Sequence, residues 1–305
     1  MSRTAWLFPG QGAQTVGMGK ALATRYPDAA RTFDEANDTL GFDLRALCWE
    51  GPASELDRTV NAQPALLATS IAALRSALAA GLPADDPTLA GHSLGEFTAL
   101  VAAGALDLGD ALRLVRKRGE LMQSADASGG MAAVLGLDAD AVASAIDGSG
   151  VVVANDNAPG QVVITGPLAS MPAATEALKA AGAKRVIALK VSGAFHSPAM
   201  RAVAPKLAEA IRATSFRALR YRVIANVDAD VHEQATDFPA LLERQVHSPV
   251  RWVASMRRAA AEGATTFVEF GAGNVLTGLV KRILPDARTA NVSDPESLER
   301  ALATV

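Results

Sequence analysis

Thr88-Leu89-Ala90-Gly91-His92-Ser93-Leu94-Gly95-Glu96-Phe97-Thr98-Ala99-Leu100 reads as a short buried strand, a sharp turn and the start of a helix. The G-x-S-x-G pattern at its centre puts Ser93 on the turn, where a hydroxyl projects and flanking glycines make room for a tight backbone. Backbone N–H groups at the start of the following helix lack intrahelical acceptors and are placed to stabilise an oxyanion. Such a pattern also arises by chance in glycine- and serine-containing loops. The strand before it and the helix after it set this one apart.

Outward from this turn, short apolar runs recur between amphipathic segments, at residues 4–8, 87–91, 223–226, 266–270 and 289–292. Runs this short, separated by helices, predict a parallel sheet covered on both faces. A helix over residues 64–80 places Leu67, Ile71, Leu74 and Leu78 on one stripe, and one over 199–213 does the same with Val203, Leu207 and Ile211. Residues 130–192 follow another pattern: strand 131–137, helix 139–146, strands 151–155 and 161–165, helix 168–181, strand 185–191. This βαββαβ order is the ferredoxin-like pattern, expected here as a subdomain inserted into the larger α/β domain.

Composition narrows the class. Half of the 305 residues are hydrophobic, a fifth are charged and 5% are aromatic, which suits a helix-rich α/β protein with a full core. Lys and Arg number 29 against 32 Asp and Glu, a net charge of −3 that argues against a nucleic-acid partner. Cys48 is the single cysteine, so no intrachain disulfide forms, and no Cys/His spacing suggests a metal site. The apolar run at the amino terminus is too short for a signal sequence, and residues 64–83 carry Arg75 amid helical periodicity rather than a membrane span. The expectation is a soluble, cytoplasmic enzyme with no membrane contact.

A serine nucleophile needs a base, and the chain has four histidines. His92 adjoins Ser93 on the turn, where neighbouring side chains diverge. His196 lies in a loop between the expected subdomain and an amphipathic helix, a favoured setting for a catalytic group. His247 sits at a helix end, and His232 in an acidic, loop-like segment. His196 ranks first, then His247, then His232. In the helix near residues 108–125, Arg113, Arg116, Lys117 and Glu120 fall on the polar side, but Arg118 falls inside the apolar arc between Leu114 and Met122. A buried guanidinium needs a partner. It is either a structural ion pair with an Asp or Glu, or a ligand carboxylate held through two parallel bonds. The loop Phe8-Pro9-Gly10-Gln11-Gly12-Ala13-Gln14 has neither the phosphate-loop nor the dinucleotide spacing. It is an ordinary strand–helix turn or one that aims a backbone N–H into a crevice.

Together these segments resemble the malonyl-CoA:acyl carrier protein transacylases of type II fatty acid synthesis. The loop at 8–14 is similar to that family's opening motif, and Gly91-His92-Ser93-Leu94-Gly95-Glu96-Phe97 to its nucleophile motif. Arg118-Gly119-Glu120-Leu121-Met122-Gln123 resembles its arginine helix and Gly193-Ala194-Phe195-His196-Ser197 its histidine loop. The segments Arg244-Gln245-Val246-His247-Ser248-Pro249-Val250-Arg251-Trp252 and Glu269-Phe270-Gly271-Ala272-Gly273-Asn274-Val275-Leu276 match its late motifs. Phe97 stands where tyrosine is common and Ala13 where serine is common.

The resemblance implies Ser93 as acyl-carrying nucleophile and His196 as its base. It implies Arg118 as the clamp on the malonyl carboxylate, and the amides of Gln11 and Leu94 as the oxyanion hole. The histidine would be oriented by a main-chain carbonyl at Gln245, and the Ala194-Phe195-His196 triplet resembles the form associated with malonyl rather than methylmalonyl selectivity. The implied fold is an α/β-hydrolase-like domain of residues 1–129 and 193–305 with a ferredoxin-like insert at 130–192. The implied partners are malonyl-CoA and acyl carrier protein, with no cofactor, since the CoA thioester is a substrate. Alternatives are a stand-alone polyketide acyltransferase, the transacylase of malonate decarboxylase, a serine thioesterase or lipase, and a non-catalytic acyl-binding module.

Overall fold

In chain order the strands of the computed structural model, which describes residues 3–125, 128–191 and 193–305, fall into two sheets. They are β1 (Arg3–Phe8), β2 (Thr88–Gly91), β3 (Gly129–Leu135), β4 (Val152–Ala158) and β5 (Gln161–Pro167). Then follow β6 (Arg185–Ala188), β7 (Val223–Ile224), β8 (Val231–His232), β9 (Ala264–Phe270) and β10 (Arg288–Val292). The larger sheet has the order β10-β9-β1-β2-β7-β8, parallel throughout except for the antiparallel edge strand β8. Helices cover both faces, so Ala5–Phe8 of the central β1 are buried without alternation, as a parallel strand requires.

The smaller sheet, β4-β5-β3-β6, is antiparallel. Its helices Ala139–Ala145 and Met171–Ala180 pack on it through Val134, Val142, Ile164 and Leu178. Strand ends shift by a few residues from expectation. β3 starts at Gly129 because its pairing with β5 runs out to Pro167, and β6 stops at Ala188. Ser192, the last residue of the expected insert, and Met1, Ser2, Asp126 and Ala127 of the expected larger domain lie outside the described residues.

Two helices depart from their expected form. The helix expected over 64–80 is Thr59–Ala79, with Pro64 inside it, and is buried continuously from Ala62 to Leu74, whereas Leu78 is 40% exposed. The single stripe fails because neighbouring helices and the sheet enclose this helix on nearly all sides up to Leu74. The segment expected as one helix over 199–213 is a 3₁₀ turn, Pro198–Ala202, followed by a helix, Ala204–Arg212. Pro205 lacks an N–H and cannot continue the preceding turn, so the helix restarts there; Val203, Leu207 and Ile211 are buried as expected.

Register positions the functional residues. Phe8 pairs with Gly91, so β1 and β2 end side by side and their following loops emerge together. The His92 amide donates to Phe8 O at 3.0 Å, tying the two loops. Across the gap, the Val250 amide donates to Ala154 O at 2.9 Å and the Asp156 amide to Val250 O at 3.0 Å, joining the edge strand β4 to the larger sheet's domain. Ligands of open α/β sheets bind at such carboxyl ends. Among the described residues no helix is long and apolar enough to cross a membrane.

Candidate active site

Ser93 sits between β2 and the helix Leu94–Ala102 with φ +52° and ψ −104°, a left-handed conformation rare for a side chain with a Cβ. Such a backbone costs about 1–3 kcal/mol and persists only where its surroundings over-determine it. Here the turn is clamped. Asn226 takes the Ser93 amide on its Oδ1 at 2.7 Å and donates from Nδ2 to Gly91 O at 2.7 Å, pinning the backbone that leads into the strained residue. A Cβ on Gly91 would lie 1.8 Å from Gly95 O, and one on Gly95 would lie 2.0 Å from Phe8 O. Gly95→Ala should therefore lose at least ~1–3 kcal/mol of stability, from overpacking against backbone that cannot yield. Gly278→Ala, inside the helix Val275–Ile283 with open space around it, should be stabilising by ~0.5–1 kcal/mol. Denaturant unfolding of both variants checks the contrast, and an unchanged Gly95→Ala would show the turn is looser than drawn.

His196, also left-handed at φ +56° and only 4% exposed, brings Nε2 to 2.7 Å from Ser93 Oγ. Its Nδ1 lies 3.0 Å from Gln245 O and 3.1 Å from Ser248 O. Carbonyl oxygens only accept, so Nδ1 carries the proton and Nε2 presents a lone pair to the serine hydroxyl. Among the described residues no carboxylate takes part in this orientation. Burial, and then the positive charge of Arg118, push the His196 pKa down to about 3, so the ring is neutral at physiological pH. The other histidines make different contacts, although His92 also lines the cleft. His92 bonds Asn157 through Nε2 at 2.8 Å, and His232 lies between Asp228 and Asp237 on β8. His247 follows the helix Phe238–Gln245 and does not line the cleft.

Arg118 is 1% exposed, on the helix Leu108–Ala125. Gly119 lets that helix approach closely, since a Cβ there would lie 2.8 Å from Thr59 O. The guanidinium donates from Nη1 to Gln63 Oε1 at 2.9 Å and from Nη2 to Gln245 Oε1 at 2.9 Å and Ser93 Oγ at 3.1 Å. Among the described residues no carboxylate oxygen bonds it, so the structural ion pair considered from sequence is not what the fold provides. Burial, partly offset by the charge of Glu96, lowers its pKa to about 10, which still leaves it charged at neutral pH.

Gln245 does more than offer a carbonyl. Besides accepting from Arg118, its Nε2 donates to Ser93 O at 2.8 Å and to Glu96 Oε2 at 2.9 Å. Gln63, Glu96 and Asn226 were missed from sequence, where each is a buried polar residue inside an apparently apolar helix or strand. That mismatch was the available signal. Gln11 bonds Thr59 Oγ1 through its side chain at 3.1 Å, so the loop after β1 is held against the long helix.

These groups converge on a cleft of about 560 Å³ between the two sheets, lined by Gln11, Ser93, Leu94, Arg118, Asn157 and His196 among others. A nucleophile, a neutral base and a desolvated cation within hydrogen-bond reach of one hydroxyl suit acyl transfer from a substrate that carries an anionic group.

The sequence profile of the acyl transferase domain matches residues 5–298. The chain is 49% identical to the malonyl CoA-acyl carrier protein transacylase of Bacillus subtilis, over all of this chain and 98% of the relative. It is 43% identical to the protein of the same name from Escherichia coli, over 99% of both. Among solved structures it is similar to an acyl carrier protein S-malonyltransferase from Vibrio cholerae, with a TM-score of 0.95 at 42% identity over 98% of this chain and all of the other. It is also similar to a malonyl-transacylase solved in complex with a type II polyketide acyl carrier protein, with a TM-score of 0.96 at 42% identity over the full length of both.

Proposed function

The chain belongs to the acyl transferase domain family, and from that premise we propose that it moves a malonyl group from CoA to the phosphopantetheine thiol of acyl carrier protein. The observation that carries this reading is Arg118: a buried guanidinium 3.1 Å from the nucleophile, bonded only to neutral oxygens. A thioesterase or lipase has no use for an unneutralised cation there, whereas a malonyl thioester brings a carboxylate that pairs with it.

In the first half-reaction Ser93 Oγ attacks the thioester carbonyl while His196 Nε2 takes its proton. The oxyanion is held by the amides of Gln11 and Leu94, the latter a first-turn N–H with no intrahelical acceptor. His196 returns the proton to the CoA sulfur, which leaves as thiol. The carrier's thiol then gives its proton to His196 and attacks the malonyl-serine ester, and Ser93 leaves with that proton. Each half-reaction exchanges ester for thioester, so the scheme calls for no metal or redox cofactor. The Ala194-Phe195-His196 loop is assigned to malonyl over methylmalonyl choice on resemblance. The parallel sheet of residues 1–129 and 193–305 is read as α/β-hydrolase-like. The four-stranded sheet of the expected insert at 130–192, whose β3 begins one residue earlier at Gly129, is read as ferredoxin-like, because its first and third strands are central. Cytoplasmic residence belongs to the same proposal.

Mixing the protein with malonyl-CoA and phosphopantetheine-bearing carrier protein should put the malonyl group on the carrier, seen by intact mass. Release of free malonate with no loaded carrier would turn the assignment into a hydrolase.

The buried histidine sets the pH dependence. Only neutral His196 accepts a proton, and its pKa is depressed from 6.5 to about 3. The acid limb of malonyl kcat/KM should therefore lie well below pH 6, not at the ordinary histidine value. In the same window the unfolded chain binds a proton that the native site refuses, so stability is lost as pH falls from 6.5 towards 3. His196→Ala should cost ~10²–10⁴-fold in rate with the fold intact, and His247→Ala and His232→Ala far less. A larger loss in His247→Ala would reverse the assignment of the base.

A further inference from the structure

We propose that Glu96 is a positioning residue for substrate choice. Acting through the Gln245 carboxamide, it keeps Arg118 bonded to neutral oxygens, so that the guanidinium's charge is left for the substrate's carboxylate. The inference rests on the malonyl-transfer reading above and assigns part of its selectivity to a residue that never touches substrate.

Glu96 has no surface exposure. What it does is accept. Its Oε2 receives the Gln245 Nε2 at 2.9 Å and the backbone amide of Asn226 at 3.0 Å, while Oε1 has no partner among the described residues. A carboxamide has one accepting and one donating end, and nothing in its shape prefers either way round. Here the two ends meet opposite demands. The Nε2 end faces two acceptors, Glu96 Oε2 and Ser93 O, and the Oε1 end faces a donor, Arg118 Nη2. Flipped, the amide would set its N–H groups against the guanidinium and its oxygen against a carboxylate and a carbonyl. Burial lifts the Glu96 pKa to about 7 against the pull of its bonds from Gln245 and Asn226, so above that pH Glu96 is a charged acceptor and forbids the flipped orientation more strongly than Ser93 O does. The arrangement also keeps the carboxylate one amide away from the guanidinium. In direct contact it would neutralise Arg118 and compete with the malonyl group. At one remove it offsets the cost of burying the cation, and the electrostatic attraction between the two is mutual.

The test is the ratio of malonyl to acetyl kcat/KM, because acetyl-CoA has no carboxylate for Arg118 to bind. Glu96→Met, similar in length but without an oxygen, should lower that ratio roughly 10- to 100-fold, the worth of one hydrogen bond to a charged group. The loss should appear mainly in KM for malonyl-CoA. Glu96→Gln can still present a carbonyl oxygen to Gln245 and should hold the ratio within about threefold of wild type. Because Glu96 acts through the amide, Glu96→Met should change the ratio little further in a Gln245→Met background. If Glu96→Met does not fold, Gln245→Met alone decides: it must lower the ratio with Glu96 in place. Equal losses for both thioesters in Glu96→Met, a Gln variant no better than the Met variant, or an unchanged ratio in Gln245→Met would each overturn the proposal. Wild type run in parallel separates the two readings. If it loads malonyl while the ratios stay flat, only this inference falls. If it loads none, the malonyl reading fails and takes this one with it.

Discussion

Ser93→Ala will take up no malonyl group from malonyl-CoA, while wild type will show one covalent malonyl adduct by intact mass, released on addition of carrier thiol. The expectation rests on a hydroxyl held 2.7 Å from a neutral imidazole, on a turn that Asn226 clamps through the Ser93 amide and the Gly91 carbonyl. Removing the nucleophile from a coupled serine–histidine pair eliminates the covalent route, a loss on the order of 10⁶-fold in turnover. Alanine keeps the same Cβ in the same backbone conformation, so thermal unfolding should move little. An adduct that persists in Ser93→Ala would place the acyl group on another residue and remove this serine from the mechanism.

The second large effect is expected at Arg118. Breaking a desolvated, two-bond charge pair from one side costs on the order of 3–5 kcal/mol, or roughly two to four decades in malonyl kcat/KM. Arg118→Ala should lose malonyl transfer steeply and gain relative preference for acetyl and other neutral acyl groups. The structure adds a refinement. The guanidinium also satisfies the oxygens of Gln63 and Gln245, so its removal should lower the melting temperature as well. Stability alone is therefore not the deciding measurement; the ratio of the two thioesters is. Lysine should rescue poorly, because one ammonium cannot reproduce a planar fork that reaches Gln63 on one side and Gln245 on the other. Equal losses for malonyl and acetyl would reduce Arg118 to a structural residue.

The alternation of short strands and helices, the nucleophile turn and the out-of-place arginine were legible in the sequence because each is a local pattern. Strand length, glycine spacing and helical period are all encoded within a few residues of the feature they describe. The inserted antiparallel sheet was legible for the same reason, through its order of elements. Local patterning reached its limit at the long helix Thr59–Ala79, where a single buried stripe was expected and burial turned out to be nearly all round. Periodicity reports the faces a helix hides only when one face remains in water.

What Ser93, His196 and Arg118 are as residue types, and the chemistry each is fit for, was determined by the sequence alone. Which histidine stands within hydrogen-bond reach of Ser93 Oγ was decided only by tertiary structure. Residues 103 apart had to be brought to 2.7 Å, and the imidazole's second nitrogen had to meet two main-chain carbonyls from residues 245 and 248. The partner of Arg118 was decided there too. Sequence offered a carboxylate of the protein or one of a ligand; the fold instead surrounded the cation with the oxygens of Gln63, Gln245 and Ser93 and held Glu96 one amide away. The physical reason is range. A strand, a turn or a helix face is specified by neighbours along the chain, but a buried charge takes its environment from whatever the fold packs around it, and those groups lie on separate elements whose order in sequence carries no distance.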